Sequence, residues 1–294
     1  MVKRGIDISS HQGNIDLEKL KDQIDFVIIR VGYGPKGAID NKFERNADLC
    51  GELGIPVGFY WYSYALTEAD AEKEAAAFLK AIAPYKPTYG CWFDMEDADK
   101  YKQRNGMPPS STLRAICAKW CEIVEGAGYY AGVYASQSWF NNQLKGDELI
   151  RYDKWVALWP TYNKKQKGLS VDPLSRTGLS MWQFTSVGRL SGYNGNLDVN
   201  YAYHEFPNPK DKITAKPAVE EKPKAKPAAK PKTNPIIKGS KVKFTGKKSY
   251  SGIPLADWTN GYVFDVIEIS GDRLVIGKGT AVTAAVNIRD CKKI

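Results

Sequence analysis

Histidine is nearly missing from this chain. Only His11 and His204 occur in 294 residues, so catalysis built on a histidine base has little to draw on. Cysteine is sparse too: five residues, an odd count, with no C-x-x-C. Cys117 and Cys121 stand four apart on an expected helix. Without two histidine partners or a second close cysteine pair, no zinc site is indicated, and neither metal nor cofactor is expected. All five cysteines read as small buried hydrophobes of a reduced protein. No apolar run approaches the ~18 residues of a membrane-spanning helix. The N-terminal MVKRGIDISS carries charge but no apolar core of a secretory leader, so synthesis in the cytoplasm without classical export is expected.

What is present is a chain of uneven charge. The total is 42 Lys and Arg against 33 Asp and Glu, a net +9. Residues 207–294 hold 18 basic and 8 acidic residues, so the first 206 are close to neutral and the tail carries the excess. A basic tail attracts polyanions: nucleic acid, an anionic membrane or an anionic cell-wall polymer.

Residues 207–238 contain seven of the 16 prolines, nine lysines and no aromatic residue. Such a stretch cannot bury enough apolar surface to order itself and reads as an extended linker. Before it, eight apolar stretches recur among helical patterns. The strand candidates are 4–9, 26–32, 57–62, 90–95, 130–135, 154–159, 179–184 and 196–199. The helix candidates are 16–21, 41–53, 68–82, 111–126 and 136–144, with Thr67 and Ser110 as N-caps. Eight strands alternating with helices over ~200 residues predict an α/β fold with a β/α barrel. The last strands leave no room for full helices between them, so the barrel should be irregular. A doubly wound sheet is the alternative. Residues 239–294 carry short strand patterns at 241–245, 261–270, 273–278 and 281–287, which suggests a small all-β barrel of SH3-like size.

The chemistry sits at strand ends. Side chains at i and i+2 share one face of a strand. Asp7 therefore points with Ser9, and Asp94 with Glu96, while Phe93 and Met95 take the other face. In a parallel barrel the last inward residues reach the C-terminal mouth, where active sites lie. With Asp198 from the last strand, Asp7, Asp94 and Glu96 could share one cavity, where crowding raises carboxyl pKa values and keeps a general acid protonated. Four unrelated strand-end acids are the competing reading. Aromatic residues add weight: Tyr60, Tyr62 and Tyr64 end one strand, and Trp159, Tyr162, Trp182 and Tyr193 lie near later ones. Flat apolar ring faces and hydrogen-bonding groups are what sugars bind. Phe59 and Trp61, on the opposite face from Tyr60 and Tyr62, read as core.

These residues carry a resemblance. The run Gly5-Ile6-Asp7-Ile8-Ser9-Ser10-His11-Gln12-Gly13-Asn14-Ile15-Asp16, the Phe93-Asp94-Met95-Glu96 motif, Trp182-Gln183-Phe184 and the Asp198 strand resemble the lysozymes of glycoside hydrolase family 25. The likeness covers residues 1 to about 206. It implies an irregular β/α barrel with a deep groove, cleaving the β-1,4 bond between N-acetylmuramic acid and N-acetylglucosamine of peptidoglycan. On this likeness Glu96 is the general acid, Asp94 orients the substrate 2-acetamido group, and Asp7 and Asp198 complete the acidic set. Tyr60, Tyr62, Tyr134, Trp159, Trp182 and Gln183 are the candidate substrate contacts. Leu17 departs from the bulkier residue that many members have there, outside the catalytic set. The C-terminal segment resembles the SH3-like modules of clostridial-type lysins, through Asp265-Val266-Ile267-Glu268 and Ser270-Gly271-Asp272-Arg273.

The expected partner is bacterial peptidoglycan, together with anionic wall polymers, for a monomer that acts at the wall after release, as phage endolysins do. A chitinase-like hydrolase is the runner-up, although its D-x-x-D-x-D-x-E pattern is absent. A non-catalytic wall-binding protein is the alternative of another class. Nucleic acid is not expected, because the lysines concentrate in a proline-rich spacer without interleaved aromatics.

Overall fold

The computed structural model describes residues 1–159, 171–176, 178–208, 236–250, 255–270, 272–279 and 281–294. The chain divides into two compact units, Met1–Ala218 and Val219–Ile294. Most of the stretch read as a linker, 209–235, and Tyr162 lie outside the described residues.

The first unit runs β1 (Lys3–Ile8), β2 (Phe26–Tyr33), β3 (Ala38–Ile39), α1 (Phe43–Glu52), β4 (Val57–Tyr62), α2 (Glu68–Ile82), β5 (Cys91–Asp94), α3 (Tyr101–Arg104), α4 (Ser110–Gly126), β6 (Ala131–Ser136), α5 (Gln137–Asn141), β7 (Asp153–Ala157), β8 (Met181–Leu190) and β9 (Tyr193–Ala202). Six parallel pairings run from β1 through β2, β4, β5, β6 and β7 to β8. β9 closes the ring, antiparallel to both β8 and β1. β3 lies outside the eight-stranded barrel, paired with β2 alone.

All eight expected strands are present, and β9 is the irregularity. β8 and β9 run on to Leu190 and back from Tyr193 as a hairpin, so Asp198 sits within an antiparallel strand rather than at the end of a parallel one. Pairing carries it to the mouth all the same, because Asp198 stands opposite Asp7. α2 has the expected limits, and the Thr67 hydroxyl accepts from the Asp70 N–H at its start. Two expectations fail locally. Ser110 is already helical, with Pro109 before it, and residues 16–21 form only short 3₁₀ turns, Leu17–Lys19 and Lys21–Gln23. The run Gly32-Tyr33-Gly34-Pro35-Lys36-Gly37 has the G-x-G-x-x-G spacing of a phosphate loop after a strand. It leads into β3 instead of a helix and is the turn of a β2–β3 hairpin, so the strand–loop–helix context of a phosphate loop is missing.

Strand alternation splits the apolar residues into two layers. Outside the barrel, under the helices, lie Phe59, Trp61, Phe78, Phe93, Trp120 and the buried Cys117 and Cys121. Phe93 stacks on Trp120 at 4.9 Å. Inside the barrel, Phe26, Ile28, Trp92, Trp155, Met181, Ala202 and Phe206 form a second cluster. Glycine makes room for these rings. A Cβ on Gly5 would lie 2.5 Å from the Phe26 ring, and one on Gly132 would lie 2.5 Å from Trp92. Each buried large side chain contributes roughly 1.5–3 kcal/mol of transfer free energy.

The unit continues past residue 206. Asn208 is buried, its Oδ1 accepts from the Tyr130 N–H, and its Nδ2 donates to the Pro87 carbonyl. In the second unit, β10 (Lys241–Phe244), β11 (Val263–Ser270), β12 (Arg273–Lys278), β13 (Ala281–Asn287) and β14 (Cys291–Lys293) form one antiparallel five-stranded sheet. Val242, Phe244, Phe264, Val266, Leu274, Ile276 and Val286 form its core, and Ile236 packs against it. No helix among the described residues is long and apolar enough to cross a membrane.

Candidate active site

The interior positions change character along each strand. On β2, Phe26 and Ile28 are followed by Arg30. On β4, Gly58 is followed by Tyr60 and Tyr62. On β5, Trp92 is followed by Asp94 and Glu96, and on β6, Gly132 by Tyr134. An apolar floor therefore gives way to a polar layer at the C-terminal ends of the parallel strands. Ladder bonds keep the alternation going past the formal end of β5: the Met95 N–H donates to the Tyr134 carbonyl, and the Ser63 N–H to the Asp94 carbonyl. Met95 falls into the outer apolar layer, so Glu96 turns inward beside Asp94.

Asp7 is held from two strands, β8 and β9. Its Oδ1 accepts from Gln183 Nε2 at 3.0 Å and from Asn200 Nδ2 at 2.7 Å. Gln183 Oε1 accepts from the Tyr134 hydroxyl at 2.9 Å and from Trp159 Nε1 at 3.3 Å. Asn200 Oδ1 accepts from Trp155 Nε1 at 2.8 Å. The Trp155 ring belongs to the floor, so the floor also orients the carboxylate above it.

Burial dominates the electrostatics. It raises the carboxyl of Asp7 to about 6, against the lowering effect of the Asn200 and Gln183 hydrogen bonds. Glu96 is raised to about 7 by burial, with Asp99, Asp7 and Asp97 adding to the rise and the Lys102 ammonium opposing it. Asp94 stands well above the ordinary carboxylate range, through burial and then the Glu96 charge. Asp198 is raised by burial and by Asp7 and Glu96. Four carboxyls this close cannot all be charged, so they share protons near neutral pH. Asp94 Oδ1 is buried and has no hydrogen-bond partner among the described residues.

The four acids expected from the sequence are thus together in one mouth. The expected substrate contacts divide. Tyr62 and Trp159 are half-buried at the rim. Tyr60 and Tyr134 are each 9% exposed and stand among the carboxyls, deeper in the mouth. Gln183 is 3% exposed and engaged with Asp7, Tyr134 and Trp159, so it positions other groups. Trp182 is a correction. It alternates with Gln183 along β8, so its ring falls into the outer apolar layer, 1% exposed, with Nε1 donating to the Leu158 carbonyl. No sugar reaches it there.

Sequence reasoning missed several groups. Arg30 donates from Nε to Asp40 Oδ2 at 2.8 Å and from Nη2 to Ser10 Oγ at 3.0 Å, and its charge also bears on Asp94. A lone arginine on the inward register of Phe26-Val27-Ile28-Ile29-Arg30 was a readable signal. Asn200 shares the inward register of Asp198 in the same way. Tyr101, its ring centroid 4.6 Å from that of the expected Tyr64, extends the aromatic rim from Tyr62. Tyr101 lies on α3, a four-residue helix with no periodicity to find.

The family model for glycosyl hydrolases family 25 matches residues 6–193, which includes Asp7, Asp94 and Glu96. This chain belongs to that family. The family 25 chain also resembles the D-alanyl-L-alanine endopeptidase of Streptococcus phage B30, at 29% identity over 147 residues, 48% of this chain and 31% of that one. Among solved structures, the modular autolysin LytC from Streptococcus pneumoniae in complex with a synthetic peptidoglycan ligand matches with TM-score 0.57 and 31% identity, over 69% of this chain and 47% of LytC. The catalytic domain of endolysin ply40 from bacteriophage P40 of Listeria monocytogenes matches with TM-score 0.53 and 26% identity, over 69% of this chain and 93% of that one. The chain thus spans less than half the length of the phage B30 protein and of LytC.

Proposed function

We propose that this chain hydrolyses peptidoglycan as an N-acetylmuramidase, cutting the β-1,4 bond between N-acetylmuramic acid and N-acetylglucosamine. The observation that carries the reading is Glu96, raised to about 7 by burial beside a buried Asp94 whose Oδ1 is unengaged among the described residues. A carboxylic acid protonated near neutral pH is what a glycosidic oxygen needs as it leaves. The family match and the peptidoglycan-ligand complex of LytC support the substrate class. The phage B30 relative is named for a peptidase, but the shared stretch is under a third of its length.

In the proposed mechanism Glu96 gives its proton to the glycosidic oxygen as the bond to the muramic acid anomeric carbon breaks. Asp94 accepts the N–H of the 2-acetamido group, whose carbonyl oxygen attacks that carbon and forms a cyclic oxazolinium. Glu96, now ionised, takes a proton from water as the water opens the ring. Two inversions leave the β configuration retained. Asp7, fixed by Gln183 and Asn200 and ionised above about pH 6, supplies negative charge toward the developing positive charge on the sugar, with Asp198 opposite it. The rim of Tyr62, Tyr64 and Trp159 offers ring faces to neighbouring sugars. The second unit is proposed as an SH3-like wall-binding module, which raises the local concentration of the barrel at an insoluble substrate. A chain of this design acts at the wall after release from the cell that made it, as phage endolysins do.

The test is mass spectrometry of fragments from purified peptidoglycan, reduced with borohydride after digestion. Reduced muramic acid at the new ends is the expected result. Reduced N-acetylglucosamine ends, or peptide cleavage alone, would overturn the reading.

A further inference from the structure

Behind the carboxyl cluster lies a charge that the proposed mechanism does not use. Lys102 on α3 has no exposed surface, although lysine is almost never fully buried without a partner. Its Nζ donates to the Ser63 carbonyl at 2.5 Å and to the Glu96 carbonyl at 2.8 Å. These two carbonyls follow the ends of β4 and β5, so one ammonium ties the two strand ends that carry Tyr62 and Asp94–Glu96. Glu74 of α2, also without exposed surface, grips the same turn, with Oε1 accepting from the Tyr64 N–H at 2.8 Å. Asp97 completes the attachment, because Oδ1 accepts from the Lys102 N–H and Oδ2 from the Gln103 N–H. The helix bearing Lys102 is thereby tied to the residue that follows Glu96.

We infer that Lys102 is a positioning residue for the reaction, clamping the backbone of Glu96 to the end of β4 and holding a positive charge behind the carboxyl pair. The inference rests on the reading of Glu96 as the acid. The groups facing Lys102 are Asp94 and Glu96 of the β5 end, Asp97 before α3, Glu74 of α2 and Cys117 of α4. Those facing Glu96 from other elements are Asp7 of β1, Asp99 before α3, Asp198 of β9, and Tyr62 and Tyr134. Apart from Arg30, whose charge bears on Asp94, every other ionisable group named around the pair is an acid, a phenol or a thiol, and Lys102 is the cation in hydrogen-bond contact with the Glu96 backbone.

The clamp is tested by Lys102→Met, which keeps the length and apolar stem, and by Lys102→Gln, which keeps a donor without the charge. The Glu96 carboxyl is followed by carbon-13 NMR in protein labelled at glutamate, its resonance assigned by its loss in Glu96→Gln. Removing a nearby cation disfavours the carboxylate, so the Glu96 titration should move upward by about one pH unit or more in both variants. The alkaline limb of the activity profile should move with it, and kcat should fall about tenfold or more with KM little changed, more severely for Met than for Gln. An unmoved Glu96 titration in a folded variant would overturn the inference. Failure of both variants to fold would also overturn it, by assigning Lys102 to stability alone. The NMR readout does not depend on turnover. A wild-type enzyme that released no muramic acid ends would therefore sink the functional reading without deciding this one.

Discussion

The lower and upper halves of the barrel interior are built from the same strands and the same alternate positions, yet their chemistry is opposite. Below lie Phe26, Trp92, Trp155 and Phe206. Above lie Arg30, Asp94 and Gln183, each two residues beyond the floor residues Ile28, Trp92 and Met181, together with Asp198 of the antiparallel β9. The contrast shows how the floor works on the mouth. A sealed aromatic layer keeps water from solvating the carboxyls from beneath, which is why burial is the first cause of every raised carboxyl there. One floor residue reaches the upper layer by a hydrogen bond that orients an acid's partner, Trp155 through Asn200.

The largest effect should come from the upper half. Glu96→Gln preserves shape and loses the proton, and turnover on soluble peptidoglycan fragments should drop about 10²–10⁴-fold with the circular dichroism spectrum unchanged. Retention of a tenth of wild-type turnover would remove Glu96 from the acid role. The lower half should break differently. Trp92→Ala opens a cavity among Phe206, Trp155 and the Gly132 backbone and should cost about 3–5 kcal/mol in denaturant unfolding, with activity lost only as folding is lost.

The same contrast predicts a gain. Glu96 has a folded pKa of about 7, above the ~4.3 of an unfolded chain. The folded state therefore binds more protons between those values, and this group's contribution to stability falls as pH rises through that window. Glu96→Gln should raise stability above pH 7 by roughly 1–3 kcal/mol, with the gain vanishing near pH 4. Thermal melts at both pH values decide it. An equal shift at both would mean that the carboxyl is not strained by burial. Smaller still is the link between the halves. Trp155→Phe keeps the ring and removes the donor to Asn200, so it should cost about 0.5–1.5 kcal/mol of stability and lower kcat by less than Glu96→Gln does.

Much of this was legible before the fold was seen, and the reasons differ residue by residue. Period-two alternation carried Asp7, Asp94 and Glu96 to one face, because a strand has only two faces to choose between. The same rule separates Phe59 and Trp61 from Tyr60 and Tyr62, as found. The placement of Trp182 missed because a motif was taken whole, although alternation with Gln183 argues that only one of the two can face inward. The antiparallel course of β9 follows from the Ser191-Gly192 turn of the β8–β9 hairpin, a local signal that went unread because the expected strands stopped at 184 and resumed at 196. Lys102 was out of reach for a related reason: a four-residue helix has no period, and an isolated lysine reads as solvent-exposed. The burial of Asn208, just past the expected boundary at 206, has no local pattern, because it depends on Tyr130 and Pro87 far away in sequence.

The central claim is that burial above an apolar floor keeps Glu96 protonated near neutral pH and that this proton cleaves the bond. The most direct test is the pH dependence of kcat/KM on soluble peptidoglycan fragments, which reports the free enzyme's acid. Activity should fall as pH rises through about 7, with Glu96→Gln showing only a flat residual rate across the same range. Full wild-type activity held to pH 9, or an alkaline limb that survives in Glu96→Gln, would contradict the account.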